Sequence, residues 1–80
     1  MKAEDISGRL TDVFRDVLDN NSIVLSRQTT AADIEDWDSL AHISLLVAIE
    51  KEFDIKLDLP EINQLQNVGD MLDLIQRKVS

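Results

Sequence analysis

The stretch Asp36-Trp37-Asp38-Ser39-Leu40 holds the residues best suited to chemistry in this chain. An acid, a serine and then an apolar run read as the start of a helix, with Asp38 as its N-cap. The free N–H groups and positive dipole end at such a start favour an attached phosphate. A serine in that first turn is also reachable by an enzyme. His42, the only histidine, lies three residues on and so neighbours Ser39 on the helix. A hydrolytic Ser–His pair needs an oriented base and an oxyanion hole. The chain has no G-x-S-x-G elbow and no further catalytic group nearby, so hydrolysis is a poor reading. Metal binding is equally weak. Counted from Asp33, the positions where a calcium loop needs glycine and glutamate hold Asp38 and Ser44. The two glycines, Gly8 and Gly69, do not flank Ser39, so no Gly-rich phosphate loop is present.

The elements that position these residues must come from a single small domain. Eighty residues bury about 60% of the surface the unfolded chain exposes, so the core is small. There is no cysteine, which removes disulfides and thiolate metal sites. The first ten residues carry no apolar signal core, and the longest purely apolar run, Leu45 to Ile49, is far short of a membrane span. A cytoplasmic setting is the expectation. The net charge is −8, and the nine acids against two bases between Asp33 and Glu61 account for most of it. Such a field repels nucleic acid and favours basic protein surfaces. Its crowded acids also lead one to expect a tighter fold with divalent ions or at lower pH.

Apolar spacing predicts an all-α bundle. Ile6, Leu10, Val13, Phe14, Val17 and Leu18 form one stripe on a helix from about Ala3 to Asp19. A long loop over 21–38 follows, with Ile23, Val24, Leu25, Ile34 and Trp37 as anchors into the core. The helix from Ser39 to Phe53 places Leu40, Ile43, Leu46, Val47 and Phe53 near one face, widened by Leu45 and Ile49. That is more apolar surface than one buried face requires, so the helix is central or keeps residues for a partner. Pro60 suits the first turn of a short helix over 60–65. Asn67, with Asp70 three residues on, starts a last helix with the stripe Val68, Met71, Leu72, Ile75 and Val79. The architecture expected is a small four-helix bundle, three main helices and one short, with a long first loop.

Asp38-Ser39-Leu40, opening an apolar helix that ends in Glu50-x-Glu52-Phe53-x-Ile55, resembles the acyl carrier protein family. The resemblance covers nearly the whole chain as one domain. It implies that Ser39 carries 4′-phosphopantetheine, taken from coenzyme A, through a phosphodiester. The thiol of that arm holds acyl groups as thioesters. It implies a carrier and not an enzyme, and a monomer whose partners reach one serine. Those partners would be a phosphopantetheinyl transferase, an acyl-loading ligase or acyltransferase, and ketosynthases or other acyl-transfer enzymes with basic docking surfaces. Asp38 matches the residue that helps present the serine, Leu40 and Val47 match apolar contacts beside the arm, and Glu50 matches an acid of the recognition helix. Asp36 extends the acidic rim. The bundle's apolar stripe would shelter an acyl chain.

The departures point away from the housekeeping form. Fatty-acid-synthesis carriers read G-A-D-S-L-D, whereas this chain has Asp36 and Trp37 before Asp38, then Ala41, His42 and Ser44. Lys51 interrupts the usual acidic run. A carrier for a particular lipid, polyketide or acyl-modification pathway is therefore favoured over the central fatty acid carrier. A carrier-fold module that works unmodified is the alternative. Trp37 reads as a ring capping the bundle, or as a platform beside the arm. His42 reads as a surface histidine, or as a contact to the phosphate when protonated. With Ile43, these are the candidate neighbours of the arm or acyl slot.

Overall fold

The computed structural model describes residues 2–79. Four helices follow one another: α1 (Ala3–Val17), α2 (Ser39–Phe53), α3 (Leu59–Asn63) and α4 (Val68–Val79). A 3-10 turn, Ala31–Asp33, breaks the first loop, and no strand occurs among the described residues. The all-α bundle expected from the apolar spacing is the fold observed.

The stripe of α1 buries Ile6, Leu10, Val13 and Phe14 against α2 and α4. The helix ends through Asp19, whose φ of 51° is left-handed. Asn20 N then donates to Arg15 O at 3.0 Å and Asp19 N to Asp16 O at 3.4 Å, which closes the last carbonyls in a Schellman turn. α2 ends in a similar way through Asp54 at φ 53°, with Ile55 N donating to Glu50 O at 3.1 Å.

α2 begins and ends where its cap and its apolar pattern place it. The side chain of Asp38 accepts from Ala41 N at 2.8 Å. The pattern did not reveal which face turns inward. Leu45, Leu46, Ile49 and Phe53 are buried, whereas Leu40, Ile43 and Val47 are 77%, 60% and 46% exposed. The helix is thus not apolar because it is surrounded. It is buried on one side and carries an open apolar strip on the other.

The long loop is tied down by its backbone. Arg15 Nε donates to Ile23 O at 2.9 Å, and Ile23 and Trp37 are buried. Leu25 and Ile34 pack against the core, but Val24, expected to anchor beside them, is 80% exposed. Ile23 and Leu25 turn inward while Val24 between them turns out. Further on, Thr29 O and Arg27 O accept from Val68 N at 2.8 Å and Gly69 N at 2.9 Å. Loop carbonyls therefore satisfy the first amides of α4. Gly69 permits this approach, since a Cβ there would stand 2.9 Å from Arg27 O.

α3 starts one residue earlier than expected, with Asp58 and Glu61 forming a capping box. In α4, Asn67 Oδ1 accepts from Asp70 N at 2.8 Å, but the Asp70 carboxylate reaches Gln66 N at 3.0 Å. The expected capping box is shifted by one residue on its return bond. Leu74, absent from the expected stripe, is buried.

Candidate functional site

Ser39 is the first residue of α2 and is exposed. The turn that delivers it is compact: Trp37 N donates to Ile34 O at 3.1 Å and Asp38 N to Asp36 O at 3.2 Å. Trp37 is buried while Asp36 and Asp38 on either side are exposed, so the indole anchors the loop end from inside. Its ring meets Phe14 edge-on, with centroids 4.9 Å apart and planes at 87°. The serine is held in place by its neighbours and not by its own side chain. Its hydroxyl has no hydrogen-bond partner among the described residues.

The donor set around the hydroxyl is simple. His42 N donates to Asp38 O at 2.9 Å and Ala41 N to the Asp38 carboxylate. The amides of Ser39 and Leu40 stay open among the described residues. Two free N–H groups, the positive end of a fifteen-residue helix and an exposed hydroxyl suit a phosphodiester on Ser39. Glu35, Asp36 and Asp38 put exposed acids on the approach, and the first turn of α2 itself holds none.

The other candidate residues separate into distinct places. Leu40, Ile43 and Val47 line the outer face of α2. Glu50 is half-buried, and its Oε2 accepts from Leu57 N at 2.9 Å, so this carboxylate braces the turn between α2 and α3. Trp37 Nε1 donates to His42 Nδ1 at 3.1 Å, with the two rings inclined by only 24°. Burial holds the His42 pKa below the ordinary histidine value.

An apolar crevice lies elsewhere, between α2, α4 and the segments flanking α3, lined by Leu46, Ile49, Leu57, Leu65, Met71, Leu74 and Ile75. Trp37, His42 and Ile43 are not among its lining residues. The crevice is small, with a volume of about 10 Å³. Leu57, Leu65 and Leu74 were not legible as its walls. For Leu57 and Leu65 the only sequence signal is apolar character flanking the Pro60 turn, and Leu74 lies within α4.

The site is an exposed serine, unpartnered among the described residues, at the start of a helix with an open apolar strip. A family model described as "Phosphopantetheine attachment site" matches residues 8–75. The chain belongs to this family, that of the acyl carrier proteins, in which phosphopantetheine is attached covalently and the protein is a carrier. The solution structure of a holo acyl carrier protein from Geobacter metallireducens is similar, with a TM-score of 0.87 and 48% identity, covering 91% of this chain and 84% of that one. The mitochondrial acyl carrier protein of Saccharomyces cerevisiae is 32% identical over 94% of this chain, which spans 63% of the yeast protein. The acyl carrier protein of Thermosynechococcus vestitus is 28% identical over 100% of this chain and 99% of its own. No helix among the described residues is long and apolar enough to cross a membrane.

Proposed function

We propose that Ser39 is the attachment residue and that this chain carries acyl groups on a 4′-phosphopantetheine arm for enzymes of a dedicated pathway. The observation that carries the reading is the exposed Ser39 hydroxyl, free of any partner among the described residues and flanked by the open amides of Ser39 and Leu40. When bound, the arm supplies the thiol that this cysteine-free chain lacks.

The chain's own residues do the rest. Asp38 fixes the first turn of α2 by taking the Ala41 amide, so the serine is presented in one geometry. The helix start stabilises the phosphodiester charge without a basic side chain. The strip of Leu40, Ile43 and Val47, with Asp36 and Asp38 at one end, fits a partner surface that is apolar with a basic rim. The crevice between α2, α4 and the segments flanking α3 is the apolar shelter for cargo. At about 10 Å³ it holds no more than a water, so its walls must part before an acyl chain enters.

The outer face of α2 supports a dedicated pathway over the central one. Its exposed residues from Ser39 to Lys51 are apolar, hydroxyl-bearing or basic, and Glu52, paired with Arg9, is the exposed acid of the helix. A partner selected for a dense row of acids on this helix finds its counter-charges missing here.

The test is intact mass after incubation with coenzyme A and a broad-specificity phosphopantetheinyl transferase. The expected result is a gain of one phosphopantetheine, lost in Ser39→Ala with the fold retained. A folded chain that gains no mass instead supports a carrier-fold module acting unmodified.

A further inference from the structure

Trp37 anchors the loop end before Ser39, and His42 of the first turns of α2 is hydrogen-bonded to it. The indole is fixed from three sides: it is 7% exposed, it meets Phe14 edge-on, and its backbone N–H is bonded to Ile34. Its Nε1–H therefore points in one direction, and Nδ1 of His42 receives it at 3.1 Å. An acceptor nitrogen carries no proton, so the neutral ring holds its single proton on Nε2. Nε2 has no partner among the described residues. No buried side-chain nitrogen or oxygen among them is left unpartnered, so Nε2 reaches solvent.

The position of that open donor is not arbitrary. His42 follows Ser39 by three residues, and helical side chains lean toward the N-terminus, so its ring covers the turn that starts with the serine. The open amides of Ser39 and Leu40 are on the same turn.

We propose that His42 is a positioning residue for the arm: with Nδ1 occupied by the Trp37 indole, it offers Nε2–H to a non-bridging oxygen of the phosphodiester on Ser39. This rests on Ser39 being the attachment residue. It differs from the cationic role that sequence alone suggests, because the donor is the neutral ring. Protonation would place two N–H groups against each other at the Trp37 contact and break the hydrogen bond that aims the imidazole. The neighbours do not invite a charge. Trp37 from the loop and Phe14 behind it on α1 do not titrate, and the nearest acid along the chain, Asp38, is engaged with Ala41 N. The lowered pKa of His42 arises from burial alone.

The experiment compares apo and holo protein by ¹⁵N NMR of the imidazole and ³¹P NMR of the diester across pH. Intact mass first establishes loading. The expected result is the Nε2–H tautomer in both forms, a slower-exchanging Nε2–H proton after loading, and a His42 midpoint raised by about half a pH unit. The ³¹P signal should move with that same midpoint. His42→Asn keeps an acceptor for Trp37 but is too short to reach the phosphate. It should load and hold its tryptophan emission, yet lose the ³¹P step. A loaded chain whose ³¹P signal ignores His42, or whose His42 midpoint is equal in both forms, overturns the proposal while leaving the attachment reading intact. A chain that takes up no arm overturns both.

Discussion

Gly69 of α4 lies directly against Arg27 of the first loop: its N–H donates to Arg27 O at 2.9 Å, and a Cβ in its place would stand at that same distance from the oxygen. The loop that leads to Ser39 is thereby fastened to the far end of the bundle. The Arg27–Asp73 ion pair at 2.9 Å reinforces the same junction, though at an exposed site where such pairs contribute little.

The two glycines should accordingly respond in opposite senses to alanine. Gly69→Ala forces Arg27 O or the Asn67 cap to move and should destabilise by about 2 kcal/mol, lowering the melting temperature by several degrees. Gly8 sits in the exposed interior of α1 with nothing within 4 Å of an added Cβ. Gly8→Ala should stabilise by about 1 kcal/mol. Thermal melts of both variants check the contrast, and equal shifts of one sign would contradict it.

Asp38→Ala removes the acceptor of Ala41 N. The loss of this cap should cost about 1 kcal/mol. Modification should slow by more than that stability change explains, because the first turn no longer holds Ser39 in one geometry. Denaturant titration and the initial rate of mass gain, measured on the same samples, separate the two effects.

Asp54 ends α2 in the left-handed region at φ 53°, where a side chain is strained. Asp54→Gly should relieve that strain and raise stability by about 0.5–1 kcal/mol, after the added backbone freedom of the unfolded chain is offset. A denaturant midpoint that falls would show that the carboxylate itself stabilises the turn.

Stability should fall on acidification, against the expectation from crowded acids. The His42 pKa is depressed below its ordinary 6.5 by burial. Its contribution is complete above that value and is lost as pH drops through the folded pKa, because the unfolded chain takes the proton more readily. Glu61, hydrogen-bonded to Lys78, and Asp73, hydrogen-bonded to Arg27, also have lowered pKa values. Their contributions are present above the ordinary 4.5 and 3.8 and are lost below. Melting temperatures from pH 7 to 5 should decline, and His42→Asn should flatten that first part of the curve.

The sequence by itself determined what short-range forces control. The limits of α2, Ser39 to Phe53, follow from Asp38 as a cap and from the apolar run, and the cap bond is present. The stripe of α1 spaces its apolar residues along one face, and its buried residues are the predicted ones. Ser39 stands out because a serine at a helix start is a local arrangement.

Only the tertiary structure decided what depends on residues distant in the chain. α2 is apolar nearly all round, so its period could not say that Leu45 and Ile49 face inward while Leu40 and Ile43 face out. That choice belongs to α1, which packs on both α2 and α4, and to the core the three helices share. The same holds for Glu50, an acid whose bond to Leu57 N depends on how the chain turns after Phe53. Trp37 and His42 were each legible as unusual residues, but not as a pair. Their hydrogen bond exists because Phe14, on another helix, fixes the indole and so aims its N–H.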